Sequence, residues 1–257
     1  MFKAVRIGVL LVILVIVAGN AWLTKQRSAS WDIPLEVVIY PVNGDNSQAA
    51  DDYISGLDPD VFQPVERYMA DEGKRFGITL DRPVTVEIAP RVDSLPPAAP
   101  FGGNVLQIIL WSLKTRWWAW RADTYDGPGN IKVFVLYHDS ENIKELDHSV
   151  GIEQGQVCIV KAFADRRLAS RNNVIIVHEM LHTLGARDKY DAGTGLPFYP
   201  AGYADPDLSP LYPQKLAEIM GGTIPLSENE ATMPEGLART IVGPLTAGEI
   251  GWAGKSD

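Results

Sequence analysis

The sequence predicts an α/β protein of the α+β type: a twisted mixed sheet with a buried active-site helix, preceded by an N-terminal hydrophobic helix. Three observations carry that prediction. Short apolar runs with strand-like alternation are interleaved with helical patterns along the chain. Near residue 178 a helix that is apolar over most of its circumference carries two histidines and a glutamate. Residues 7–23 are apolar apart from Asn20 and follow Lys3 and Arg6. With 257 residues and 46% hydrophobic content, the chain can bury one sizeable core without a second full domain. Residues 1–30 are therefore read as a signal anchor or signal peptide, and 31–257 as a single domain.

At 1.5 Å rise per residue, residues 7–23 span roughly 25 Å, the short end for a transmembrane helix. Gly19-Asn20-Ala21 and Ser28-Ala29-Ser30 carry small residues at the spacing of a cleavage site, so an uncleaved anchor and a cleaved signal both remain open. One outcome is a single-pass protein of the cell membrane, the other a secreted or periplasmic one. Both place the body outside the cytoplasm. The net charge is −9, and the first 27 residues hold four basic side chains and no acid, so the remainder is more acidic still. Such a body repels phosphate backbones, and nucleic acid is not expected as a partner.

The elements follow in order. Residues 35–40 read as a strand ended by the turn signal Pro41-Val42-Asn43-Gly44. Residues 60–76 read as a helix with Pro64 in its first turn and Gly77 at its end. Residues 84–89 and 131–137 are two further strands, and another surrounds Cys158. Between the second and third strands, residues 96–129 form an insertion containing an apolar helix over 104–120. It bears Trp111, Trp117, Trp118 and Trp120 beside Lys114, Arg116 and Arg121. Packing on the sheet and contact with a membrane or partner both suit that composition. Cys158 is the chain's one cysteine, which excludes an intrachain disulfide; inside a strand it reads as a small core residue rather than a latch on a metal.

The next helix starts at an N-cap, Asn172 or Asn173, and runs a ridge of Val174, Val177, Leu181 and Leu184, widened by Ile176 and Met180. On it lie His178-Glu179-Met180-Leu181-His182. Histidines four apart share one helix face, so both imidazoles reach one metal ion. Glu179 beside the first of them suits a general base acting on metal-bound water. Gly185 can adopt the left-handed conformation that stops the helix and turns the chain, so that Asp188 offers a third ligand. Three protein ligands leave a fourth position open, the catalytic arrangement of Zn²⁺. Glu218 and Asp191 are alternatives to Asp188.

This segment, HEMLHTLGARD, resembles the extended zinc motif of the metzincin metallopeptidases, in the snapalysin-like form with aspartate as third ligand. The resemblance implies a metzincin-like zincin domain with His178, His182 and Asp188 on one catalytic Zn²⁺ and Glu179 as base. It also implies a tight turn with a methionine beneath the metal, for which Glu218-Ile219-Met220-Gly221-Gly222 is the counterpart, with Met220 the residue in question. The closing helix of the family is similar to residues 245–252, where Thr246 and Glu249 are spaced as a capping box. The strong match covers eleven residues, 178–188.

Residues 189–213 are rich in Pro, Gly, Tyr and Asp and form either a binding wall or a loop. Tyr190, nearest the motif, is the first candidate for stabilising an oxyanion, ahead of Tyr199, Tyr203 and Tyr212. Asp191, Asp205 and Asp207 match no calcium-loop spacing. His138 and His148 read as ordinary surface or hydrogen-bonded histidines. The function expected from these residues is a zinc-dependent metalloendopeptidase acting on a peptide or protein substrate, with the membrane reached through the N-terminal helix. The rival expectation is a non-catalytic, membrane-anchored zinc-binding scaffold.

Overall fold

β1 (Leu35–Asn43) is an inner strand of the sheet, and its alternating side chains explain why both faces of the sheet are covered. Val37 and Ile39 enter one core, while Val38, Tyr40 and Val42 enter the other. The computed structural model describes residues 30–100, 103–143, 146, 149–152 and 155–252. The hydrophobic helix expected near the N-terminus, and His148, lie outside the described residues. β2 (Val84–Ile88), β3 (Ile131–His138), β4 (Val150–Ile152) and β5 (Val157–Phe163) complete a mixed sheet in the order β2-β1-β3-β5-β4. Every pairing is parallel except that of β4, which runs antiparallel to β5 at the edge.

β1 continues through the turn signal expected to end it. The Pro41 carbonyl accepts from Val92 N, so the proline nitrogen faces the same side, past the end of β2 at Ile88. A missing donor there costs no ladder bond. The turn comes after Asn43 and leads into α1 (Gln48–Ser55), which the apolar pattern did not announce. Only Ala50 and Ile54 of that helix are buried, too few for a periodic stripe; its signal was the N-cap Ser47, whose side chain accepts from Ala50 N.

A 3₁₀ turn (Pro59–Phe62) runs into α2 (Gln63–Arg75), with Pro64 in the first turn and Gly77 beyond the end at φ 80°. α2 packs beside β2, on the face that also carries the helix bearing His178 and His182. The opposite face is covered by α3 (Val105–Ala122), started by a capping box of Asn104 and Gln107. Trp118 of α3 packs 4.5 Å from Phe134 and donates to Ser94, but in this helix only Thr115, Trp118 and Ala119 are fully buried.

α4 (Ala169–Thr183) begins before the expected asparagine caps. Asp165 instead caps a 3₁₀ turn (Arg166–Leu168) that feeds the helix. Asn172 accepts from Phe163 N and donates to Phe163 O, and Asn173 donates to Val61 O. Both side chains therefore tie α4 to its neighbours. After α4 come β6 (Ala217–Glu218), β7 (Ile224–Pro225), β8 (Ala231–Thr232) and β9 (Thr240–Ile241), and then α5 (Pro244–Glu249). Because Pro244 starts α5 behind Gly243, the Thr246–Glu249 capping box does not form. Thr246 donates to Glu218, and Glu249 accepts from Arg187 N and Lys189 Nζ. Among the described residues, no helix is long and apolar enough to cross a membrane.

Candidate metal centre

α4 lies against β5 and β4, with Val174, Val177, Met180 and Leu181 buried in the core. That burial presents His178 and His182 along one side, rings 4.8 Å apart and nearly perpendicular. The helix ends as a Schellman turn: Gly185 at φ 105°, with Gly185 N bonded to His182 O and Ala186 N to Leu181 O. The chain then doubles back. Asp188 Oδ1 comes 3.1 Å from His178 Nε2 and 3.1 Å from His182 Nε2.

The far sides of both rings are also committed. His178 Nδ1 lies 2.9 Å from Ile219 O, and His182 Nδ1 lies 2.8 Å from Ala186 O. A carbonyl only accepts, so each Nδ1 carries the proton and each Nε2 faces Asp188 with its lone pair or a second proton. Two imidazole lone pairs and a carboxylate oxygen converging on one point are mutually repulsive unless a cation lies between them. The ligand atoms all fall within 4.8 Å of one another, close enough for one ion. Tetrahedral ligands at about 2.0–2.1 Å from zinc stand roughly 3.3 Å apart, close to the 3.1 Å between Asp188 Oδ1 and each Nε2. Carbonyls that fix both tautomers are the usual outer partners of such ligands.

The electrostatics agree with a cation-seeking site. Burial works to raise the Asp188 pKa, but hydrogen bonds and charge from His178 and His182 hold it well below the carboxylate range. Burial works against a charged His182, yet Asp188 and Glu179 hold its pKa above the ordinary value. Glu179 is shifted upward, chiefly by burial, with the two histidines and the Gly151 backbone acting against the shift. Its Oε2 is buried and has no hydrogen-bond partner.

The 218–222 turn reaches the centre through the Ile219 carbonyl. Glu218 is fully buried; its Oε2 accepts from Met220 N and Gly221 N, and its Oε1 from Gly243 N and Thr246 Oγ1. Those four bonds clamp the turn so that Ile219 O meets His178, and Met220 is buried in the same core as α4. Met220 O also accepts from Lys189 N, next to Asp188. Glu218 is thereby spent on structure. Asp191 is exposed and caps its own turn, accepting from Gly193 N and Thr194 N. Neither alternative third ligand joins the histidines.

Tyr190 stands beside the centre, its ring 6.2 Å from that of His178. Burial, then the Asp188 and Glu179 charges, push its pKa up to about 12. The other loop tyrosines pack on each other, with Tyr203 and Tyr212 hydroxyls 2.9 Å apart. Buried His138 bonds Leu136 O through Nδ1, and buried Cys158 points its thiol at Glu179 O.

Several groups that shape the centre were invisible to motif spacing. They are the Ile219 and Ala186 carbonyls, Gly151 on β4, and Glu249, which holds the backbone of Arg187 and the buried Lys189 on either side of Asp188. A β carbon on Gly151 would stand 2.6 Å from Glu179 O and 2.7 Å from His182 Cβ, so only glycine lets β4 approach α4 this closely. No protein-family model matches the chain and no curated protein matches it in sequence, so its chemistry has to be read from its own residues.

Proposed function

We propose that the chain is a zinc-dependent metalloendopeptidase of metzincin-like type, acting on peptide bonds outside the cytoplasm. The reading rests on one observation: His178, His182 and Asp188 aim three acceptor atoms at a common point while both Nδ1 atoms are tied to carbonyls. Zinc, when bound, supplies a Lewis acid that polarises a carbonyl and lowers the pKa of a water towards about 7. His178 and His182 would hold it through Nε2, and Asp188 through a carboxylate oxygen. Glu179, made more basic by burial, takes the proton of the attacking water on its unpartnered Oε2 and passes it to the leaving amine. The Gly151 backbone packs against Glu179 and limits where that carboxylate can go. Tyr190, protonated at neutral pH, is the donor nearest a developing oxyanion.

Two features of the surroundings support a peptide as substrate. β4 is the edge of the sheet, and an extended peptide can add to such an edge beside Glu179. Next to His178, Glu179 and Tyr190 lies a cavity of about 280 Å³ with Val174, Ile175 and Met233 on its walls, suited to one apolar side chain. A location outside the cytoplasm rests on the basic and apolar start of the sequence.

The test is zinc stoichiometry and cleavage of a peptide library by wild type, Glu179→Gln and His182→Ala. Glu179→Gln is expected to keep zinc and lose hydrolysis, and His182→Ala to lose both. Undiminished cleavage by zinc-replete Glu179→Gln would remove the base. A full zinc complement in wild type with no cleavage of any peptide would favour the scaffold reading.

A further inference from the structure

α3 is apolar on the wrong side for a helix that only packs on a sheet. At 100° per residue, Ile109, Trp120, Leu113, Leu106, Trp117 and Leu110 fall in an arc of about 100°. The buried residues Thr115, Trp118 and Ala119 lie on the opposite side. All six arc residues face solvent, from 49% exposed for Leu110 to 71% for Trp120. Basic residues border the arc, Arg116 on one edge and Arg121 and Lys114 on the other. The Arg121 guanidinium lies 5.2 Å over the Trp117 ring. Of the 32 acidic residues in a chain of net charge −9, none lies in α3, so this helix is a basic exception on a body that otherwise repels phosphate groups. A cleft of about 490 Å³ at the foot of the helix is walled by Arg116, Trp117 and Trp120.

We propose that this outward face of α3 docks on an anionic lipid surface, with the Leu, Ile and Trp arc in the interface and Arg116, Lys114 and Arg121 on the headgroups. Indoles and snorkelling arginines suit that boundary, where one end of each side chain is apolar and the other wet. A second copy of the chain fits less well. Pairing two such arcs would set basic borders against basic borders, with no acid on the helix to relieve them. The inference is independent of the peptidase reading, because α3 and α4 cover opposite faces of the sheet.

The experiment uses the full chain in a Cys158→Ala background, with a nitroxide at Leu113→Cys and, separately, at Lys74→Cys, an exposed position of α2 across the sheet. Leu110→Cys serves as a second site on the arc. Each protein is bound to vesicles of phosphatidylcholine alone or with one third phosphatidylglycerol, and collisions with oxygen and a water-soluble nickel chelate are compared. Labels at 113 and 110 are expected to become oxygen-accessible and chelate-protected on the anionic vesicles, while the label at 74 stays in water. Three basic side chains at about 1 kcal/mol each predict a docked-to-free ratio on the order of 100-fold higher on anionic than on neutral vesicles. Arg116→Glu with Arg121→Glu should return the 113 label to water. A 113 label that stays chelate-accessible on anionic vesicles would overturn the proposal, as would dipolar coupling between 113 labels showing two copies face to face.

Discussion

Gly151→Ala is the most direct test of how the sheet edge serves the metal centre. The added β carbon meets Glu179 O at 2.6 Å and His182 Cβ at 2.7 Å, both part of the α4 framework rather than ends of flexible side chains. Ordinary contacts are about 3.3 Å for carbon to oxygen and about 3.5–4.0 Å for carbon to carbon, so β4 must retreat from α4 by roughly 0.7–1 Å. Overpacking of this kind costs about 1–3 kcal/mol, or roughly 2–12 °C in Tm for a chain of this size. The same retreat moves the Gly151 backbone away from Glu179 and His182 and lets both side chains shift. Misplacing a catalytic group by about 1 Å costs on the order of 100-fold in rate. Calorimetry on zinc-loaded protein reads the first effect, and kcat/KM on a cleaved peptide reads the second. A variant with wild-type Tm and wild-type kcat/KM would show that β4 does not press on the centre, and the argument from glycine would be lost.

Removing zinc with a chelator is expected to lower Tm by roughly 8–16 °C if free zinc stands about 1,000-fold above its Kd, since binding at that excess contributes about 4 kcal/mol. An unchanged melting curve on adding and removing zinc would contradict the metal centre. Glu218→Gln places an amide against buried donors that now bond to carboxylate oxygens, which costs about 2–4 kcal/mol. It should also weaken zinc binding on the order of 10–100-fold by loosening Ile219 against His178, and calorimetric titration showing native affinity would refute the clamp. Tyr190→Phe removes the hydroxyl without altering the ring, so Tm should stay within about 2 °C while kcat falls on the order of 10- to 100-fold. Equal kcat in the two proteins would take Tyr190 out of the oxyanion role.

How much was legible in advance divides along the range of the interactions. The four-residue spacing of His178 and His182, the stop at Gly185 and the reach back to Asp188 follow from helix geometry and one glycine's freedom, all within eleven residues. The central strands were legible because burial on both faces demands long apolar runs. α1 was not, because two buried side chains make no period. Asn172 and Asn173 were misplaced as caps because an asparagine does not reveal whether its partner is the local backbone or a strand brought near by folding.

The sequence by itself determined that His178 and His182 share one helix face and that the chain turns back at Gly185, since both depend on φ, ψ and rise over a few residues, whereas the choice of Asp188 over Glu218 and Asp191 waited for the fold. Only the tertiary structure decided what makes the donors converge. Ile219 O reaches His178 across 41 residues, Glu218 clamps the turn that carries it, and Gly151 lets a three-residue edge strand touch α4. It also decided which side of the tryptophan helix meets water. Contacts of that kind depend on which surfaces packing brings together, and the free energy that selects them is shared over the whole core rather than carried by any local pattern.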